Sequence, residues 1–287
     1  MEPSLSRVDD VPELPEVETI KRQLEPQLLD SSIIDAGAHW SEKFAPAVEA
    51  IGGEFTGAQR RGKYLLFALD ILEGTGITTV ELVVHLGMTG RLAVQSHLGE
   101  VDLEHPHLRA WWRLDDDRVL TFHDIRRFGR IQVVAAGEYR TIPTLHALGP
   151  EPWDAEFTGR YLADFVKRSD RHLKTILLAQ RAVAGVGNIY ADEALWDAEI
   201  NPATRRLSRE RADRLVTAIQ RALESGLRHG GTTLRDYVDS EGAAGGNQHE
   251  LACYGRGGEP CLRCGTELRT RVIDARTTTS CPTCQAR

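Results

Sequence analysis

A chain of 287 residues with 41% hydrophobic and 27% charged side chains has the composition of an ordinary soluble globular protein, long enough for two domains that each bury a core. The best apolar run, Ile77 to Leu86, is about half the length of a bilayer span and contains Glu81, and the first thirty residues hold no apolar signal segment. A membrane partner is therefore excluded and a cytoplasmic location expected, where thiols stay reduced and five cysteines read as metal ligands or isolated thiols before they read as disulfides.

The net charge of -7 hides an asymmetry. Residues 1–120 carry 11 basic and 21 acidic side chains, residues 121–200 carry 10 and 11, and residues 201–287 carry 14 and 10, so the balance runs from -10 through -1 to +4. Local rather than total charge makes an electrostatic footprint, so an arginine-rich C-terminal part is compatible with a phosphate-bearing partner; a solvated arginine-rich helix gives the same count.

In chain order, the first predicted element is a helix. Pro15 fits its N1 position, Glu16 and Glu18 its first turn, and Val17, Ile20, Leu24 and Leu28 fall on one face, with Pro26 near the end. Short β-rich runs follow at Lys63–Asp70, Ile77–Leu86, Ala110–Leu114, Val119–Phe122 and Arg130–Val134, the spacing of a sandwich or barrel. After Gly149-Pro150-Glu151-Pro152 the period turns helical, with helices at Tyr161–Arg168, Leu173–Gln180, Ile189–Asp197 and Ser208–Leu227. Asp239–Gln248 is glycine-rich, with nothing apolar larger than alanine, and is expected to be a mobile loop.

The tail carries the strongest chemical signal. Cys261-x2-Cys264 and Cys281-x2-Cys284, sixteen residues apart, have the spacing of a zinc ribbon, in which four thiolates close a structural site and the ion supplies folding energy that a short tail lacks. Cys253 is left over as a plain buried or half-buried thiol. Arg269, Arg271 and Arg276 lie between the knuckles, and Arg276-Thr277-Thr278-Thr279-Ser280 sets a guanidinium among hydroxyls, a composition suited to phosphate contact.

Five motifs then converge. Pro12-Glu13-Leu14-Pro15-Glu16-Val17-Glu18-Thr19, His85-Leu86-Gly87-Met88, Arg126-Arg127-Phe128-Gly129, Gly185-Val186-Gly187-Asn188-Ile189-Tyr190-Ala191 and the four-cysteine ribbon resemble, in order and over residues 12–287, the bacterial formamidopyrimidine-DNA glycosylase family. The resemblance implies a multidomain α+β fold: a catalytic β-sandwich domain with flanking helices over 12–140, a helix-two-turn-helix domain over 150–240 and a zinc ribbon over 249–287, with one structural zinc ion. It also implies a monomer in the bacterial cytoplasm, at the nucleoid, whose partner is double-stranded DNA bearing oxidised bases or abasic sites, held in the cleft between the domains. The activity implied is excision of oxidised purines (8-oxoguanine, formamidopyrimidines) with β,δ-elimination at the abasic site.

The residue roles follow from the same resemblance. Pro12 is the nucleophile, whose terminal amine forms a Schiff base with the sugar; Glu13 is the acid/base beside it; and Lys63 contacts phosphate at the lesion. Arg276 grips phosphate from the ribbon and is counted with the catalytic residues, and Asn188 holds phosphate at a helix N-terminus, where by itself it reads as an N-cap. Met88, Arg126 and Phe128 fill the gap left by a flipped base. His105-Pro106-His107 reads as a proline-held surface loop rather than a metal pair, with His105 among the candidate DNA contacts.

Three departures are visible. Ile125 stands where the family has proline before its two arginines, and Gly245-Gly246-Asn247-Gln248 replaces the family's Gly-Tyr-Phe run in the lesion-capping loop. Met1 to Val11 precede Pro12, and an acylated proline nitrogen is an amide. The expected resolution is a true start at Val11, encoded by GUG, so that residues 1–11 are a start-site artefact; cleavage of the extension is the other route to an active chain. The alternatives are an endonuclease VIII-like preference for oxidised pyrimidines, or a lesion-binding protein without catalysis if Pro12 stays internal.

Overall fold

The computed structural model describes residues 11–286, so the start-site expectation falls, up to Asp10, outside the described residues. By contacts the described chain divides into two units, one of residues 11–146 with 230–245, the other of 147–229 with 246–286.

The N-terminal unit opens with α1 (Leu14–Leu28). Glu13 is its N-cap, one residue earlier than Pro15 at N1 implied, and Glu13 with Glu16 forms a capping box that satisfies two otherwise orphaned amides. Val17, Ile20, Leu24 and Leu28 are fully buried, as their spacing predicts, and Pro26 is accommodated inside the last turn. Two four-stranded antiparallel sheets follow. One runs β1 (Ile33–Ala38), β6 (Leu108–Leu114), β7 (Val119–Asp124), β5 (Gly90–Gln95); the other β2 (Gly53–Arg61), β3 (Tyr64–Glu73), β4 (Gly76–His85), β8 (Arg130–Ala135). A short α2 (Pro143–His146) ends the segment.

Phe55, Phe67 and Leu82 from one sheet meet Trp112, Leu120 and Phe122 from the other in one core with the apolar face of α1. The Trp112 indole, fully buried, donates to Ala47 O at 2.9 Å, so the one polar atom of the largest core side chain is paired. Truncating a fully buried side chain of this core such as Leu24 to alanine would cost about 2–5 kcal/mol.

Residues 230–245 return to this unit. Thr232 N donates to Glu16 Oε1 at 2.7 Å, Gln23 Nε2 to Asp239 Oδ2 at 2.8 Å, and Ser240 Oγ to Gln23 Oε1 at 2.8 Å. The expected mobile loop is thus, in its first half, a hydrogen-bonded turn, in which Asp239 Oδ1 also accepts from the amides of Glu241 and Ala243. Short polar side chains bonding nearby backbone supply the order that a glycine count does not reveal.

The helical unit packs α3 (Gly159–Lys167), α4 (Leu173–Leu178), α5 (Asn188–Asp197) and α6 (Arg209–Arg228). Thr158 and Ser208 cap α3 and α6 through their hydroxyls. Gly159 permits close approach of α3 to α6, since a Cβ there would lie 2.0 Å from Asp213 Oδ1. The tail forms the hairpin β9 (Arg269–Ile273), β10 (Arg276–Ser280) between the two cysteine pairs.

Candidate active site and metal centre

Pro12 and Glu13 are buried at the start of α1, Glu13 to 2% exposure. Glu16 organises this corner: its Oε2 accepts from Glu13 N at 2.9 Å while Oε1 takes Thr232 N, so one carboxylate spans the helix start and the 230–245 segment. Lys63 lies in the two-residue turn joining β2 to β3, where Arg61 pairs with Tyr64 and Gly62 takes φ +56, the left-handed first position that a type II′ hairpin reserves for glycine. Arg60 ties this turn to α1, Nε to Glu18 at 3.1 Å and Nη1 to Gly62 O at 3.0 Å. Lys63 is 8% exposed, and the nearby His85 imidazole is pushed down to about 4 by burial and by the charges of Lys63 and Arg130. Neutral His85 accepts from Gly87 N through Nδ1 at 3.1 Å.

Met88, Arg126 and Phe128 occupy two turns brought together by one carboxylate. Asp124, with no exposure, accepts from Thr89 Oγ1 at 2.6 Å and from Gly129 N at 2.7 Å. Thr89 Oγ1 in turn accepts from Arg126 N at 2.9 Å, and Arg109 Nε donates to Asp124 O at 2.8 Å. Gly87, at φ +68, lets its turn lie against Phe128 and Gly129, whose backbone a Cβ would meet at 2.5 Å. Phe128 is half exposed, with the Arg126 guanidinium 5.0 Å from its ring centre. Ile125, at the position where the family has proline, is exposed, and the turn is held by hydrogen bonds instead. Asp124 and Thr89 are organising residues that sequence reasoning missed; they are separated by 35 positions, so no local pattern marks the pair.

His105 is exposed on its loop, and its Nδ1 accepts from His107 N at 3.2 Å. It shares a concavity of about 510 Å³ with His39, Arg109 and Arg127. The His105 ring lies 5.5 Å from His107 and 5.2 Å from His123, and burial together with His105 and three further cationic or imidazole neighbours pushes His123 down to about 4.

In the helical unit Asn188 is the first residue of α5 and Gly187 takes the N-cap place, so Asn188 is not the cap that its sequence context suggested; its Nδ2 lies 3.5 Å from Tyr254 Oη. Tyr254 is fixed by Glu193, which accepts from the amides of Ala252, Cys253 and Tyr254 at 2.9, 2.8 and 2.6 Å. Burial raises the Glu193 carboxyl while those three amides pull it back. Arg276 is exposed at the start of β10. Cys253 is fully buried, donates to Thr279 O, and has its thiol raised by burial and by Asp192 and Glu193.

The sulfur atoms of Cys261, Cys264, Cys281 and Cys284 all lie within 4.8 Å of one another, the one such group among the described residues close enough to hold a metal ion. A tetrahedral zinc with bonds of about 2.3 Å fits between them. Trp196 Nε1 and the Cys284 amide donate to the sulfurs of Cys261 and Cys281, both at 3.3 Å, which favours thiolates. Gln285 seats the second knuckle, with Oε1 accepting from Cys281 N at 2.8 Å and Nε2 donating to Ile200 O at 2.9 Å.

Family models cover this chain in three parts: the formamidopyrimidine-DNA glycosylase N-terminal domain at residues 11–131, the H2TH domain of the same enzymes at 148–238, and the zinc finger found in FPG and IleRS at 258–287. The chain belongs to the formamidopyrimidine-DNA glycosylase family. The formamidopyrimidine-DNA glycosylase of Deinococcus radiodurans is 41% identical over 283 residues, covering 96% of this chain and 97% of the relative. The crystal structure of the Thermus thermophilus family member, MutM (Fpg), is 44% identical with a TM-score of 0.85, covering 96% of this chain and 99% of that one. Lactococcus lactis Fpg in complex with DNA containing an abasic site is 32% identical with a TM-score of 0.83, covering 96% of this chain and all of that one. This family member therefore has the expected Fpg-type fold and zinc-finger cysteines, and its residues fit one structural zinc ion.

Proposed function

We propose that this chain is a base-excision DNA glycosylase with abasic-site lyase activity, acting on oxidised purines in duplex DNA. The observation that carries the reading is the corner at the start of α1, where Pro12 and Glu13 are buried side by side and Glu16 fixes the Glu13 amide. Named relatives and the solved Lactococcus lactis complexes, one with abasic DNA and one with DNA containing Fapy-dG, support it.

The chemistry follows from a free proline nitrogen. An α-amino group titrates near pH 7.7–8.0, so a useful fraction is unprotonated at neutral pH. It attacks the sugar C1′ as the glycosidic bond breaks, the base leaving with that bond's electrons and the proton given up by the proline nitrogen; the nitrogen lone pair then opens the C1′–O4′ bond, O4′ taking a proton from Glu13, and the resulting iminium stays cationic without a proton. That cation accepts the electron pair released when the C2′ proton is lost, and the C3′–O bond then breaks with its electrons on the departing 3′-phosphate. Loss of the C4′ proton expels the 5′-phosphate in the same way. Lys63, Asn188 and Arg276 contribute cationic or amide donors to phosphates, and the concavity of His39, His105, Arg109 and Arg127 offers a further basic surface to the backbone. Met88, Arg126 and Phe128 enter the stack vacated by the flipped nucleotide. Bound zinc supplies the fold of the tail and no step of the reaction. Such a substrate places the protein at the nucleoid in the bacterial cytoplasm, working as a monomer.

An amide nitrogen at Pro12 cannot attack, so the 287-residue polypeptide, kept intact, should not form the adduct. Borohydride trapping on an abasic duplex decides the matter: a chain beginning at Pro12 is expected to yield a covalent complex and to excise 8-oxoguanine faster than thymine glycol. An equal trapping rate for the verified unprocessed chain would overturn the terminal-amine mechanism.

A further inference from the structure

Residues 231–245 leave the N-terminal unit and return to it at nearly the same place. A Cβ on Gly245 would lie 2.2 Å from Gly231 O, and Gly245 N donates to Thr233 Oγ1 at 2.9 Å. A loop of this length with closed ends is an Ω-loop, ordinarily held by its own side chains. Its base is held that way: Tyr237 is 5% exposed, its hydroxyl donates to Gly230 O at 3.1 Å, and Thr233 Oγ1 donates to Tyr237 O at 2.9 Å. The tip has no such means, because Asp239 to Gly245 contain nothing apolar larger than alanine.

Gln23 supplies what the tip lacks. It is half-buried on α1, two turns beyond Glu16 on the same face and so about 10 Å further along the helix. Its Nε2 donates to Asp239 Oδ2 at 2.8 Å, and its Oε1 accepts from Ser240 N at 3.1 Å and Ser240 Oγ at 2.8 Å. The other Asp239 oxygen takes the amides of Glu241 and Ala243, so Gln23 grips a turn that is already wound. The loop is therefore pinned twice to one helix face. At the second pin Thr232 N donates to Glu16 Oε1, whose partner oxygen holds Glu13 N beside Pro12.

We propose that Gln23 is a positioning residue for the Pro12–Glu13 corner, acting through the loop. With the tip fastened, Thr232 stays on Glu16 and Glu16 stays on Glu13. With the tip free, the loop visits conformations in which Thr232 parts from Glu16, and the observed rate falls with the fraction of molecules in the working arrangement. The inference rests on the lyase reading above, since that reading gives the corner its reaction.

The test uses the full chain beginning at Pro12 and single-turnover borohydride trapping on an abasic duplex at saturating protein. Gln23→Ala, a substitution that helices favour, should slow trapping at least fivefold and speed hydrogen exchange of the Thr232 amide. Affinity for a duplex carrying a tetrahydrofuran abasic analogue, which cannot form the Schiff base, should stay within twofold. Gln23→Glu sets a carboxylate against Asp239 and should slow trapping at least as much. Adding Asp239→Asn to Gln23→Glu restores a donor between the two side chains and keeps an acceptor for the Glu241 and Ala243 amides, so the pair should return to within twofold of wild type. Trapping by Gln23→Ala at the wild-type rate, an unchanged Thr232 amide, a fall in affinity as large as the fall in rate, or a folded double variant as slow as Gln23→Glu would each overturn the inference and leave the lyase reading standing. A wild-type chain that fails to trap would instead remove that reading, and any role at the corner with it.

Discussion

Asp124 offers a direct measure of how the two turns bearing Met88, Arg126 and Phe128 are held. Replacing it with alanine removes charge-assisted bonds to Thr89 Oγ1 and Gly129 N in a site with no solvent exposure. At about 1.5–3 kcal/mol for each hydrogen bond to a charged group, less what relaxation recovers, the expected loss in unfolding free energy is about 3–5 kcal/mol. Asp124→Asn keeps one carbonyl acceptor for Gly129 N and can turn its amide toward Thr89, so it should lose only about 1–2 kcal/mol. A double-mutant cycle of Asp124→Asn with Thr89→Val, followed by urea unfolding, should give a coupling of about 1 kcal/mol or more. Fluorescence of 2-aminopurine opposite an abasic site reads the functional side: with Met88, Arg126 and Phe128 filling the stack as proposed, loosening them leaves the orphaned base stacked differently. If Asp124→Ala unfolds within about 0.5 kcal/mol of wild type and the cycle shows no coupling, the carboxylate is not what joins the turns.

Three further outcomes are expected. Chelation after mild unfolding should release one zinc per chain, measured by elemental analysis, and Cys264→Ser should lose it and abolish binding to abasic DNA while the near-ultraviolet signal of the buried Trp112 persists. His85 is neutral in the fold with its value near 4 against about 6.5 unfolded, so the unfolded chain binds more protons between these limits. Its contribution, up to about 3 kcal/mol, is whole above pH 6.5 and is lost as pH falls toward 4; His85→Asn should flatten that part of a urea-midpoint profile, and an unchanged slope would disprove it. Gly231→Ala forces a Cβ into φ +91 and to 2.9 Å from Glu16 Cγ and the Tyr237 ring, which should cost about 1–3 kcal/mol and slow trapping in parallel by disturbing Glu16.

The features legible in the sequence are those whose information is local. The apolar face of α1, the helices after Pro152 and the paired cysteines all announce themselves by spacing within a few residues. Strands β1 and β2 escape a reading by pattern because Asp35, Gly37, Gly53 and Gly57 interrupt their alternation, and β2 carries a bulge between Phe55 and Gly57. Strand β10 is almost wholly threonine and serine and gains its order from Lys174 and Asp192 rather than from an apolar face of its own. Residues that tie distant segments together are invisible for the same reason: Glu193 binds amides 60 positions away and Lys174 a hydroxyl 104 positions away. Side chains with such distant partners look like ordinary surface charges until the fold is drawn.

The 230–245 strap means that sequence order and folding unit disagree. A polypeptide ending at His146 would retain both sheets but lose the donor that Thr232 extends to Glu16 and the turn that Gln23 grips. The Pro12–Glu13 corner is thus completed by chain synthesised long after it. A ribosome must finish the helical segment up to Arg228 before the first residues can reach their working arrangement, and a truncated product would be compact yet chemically incomplete.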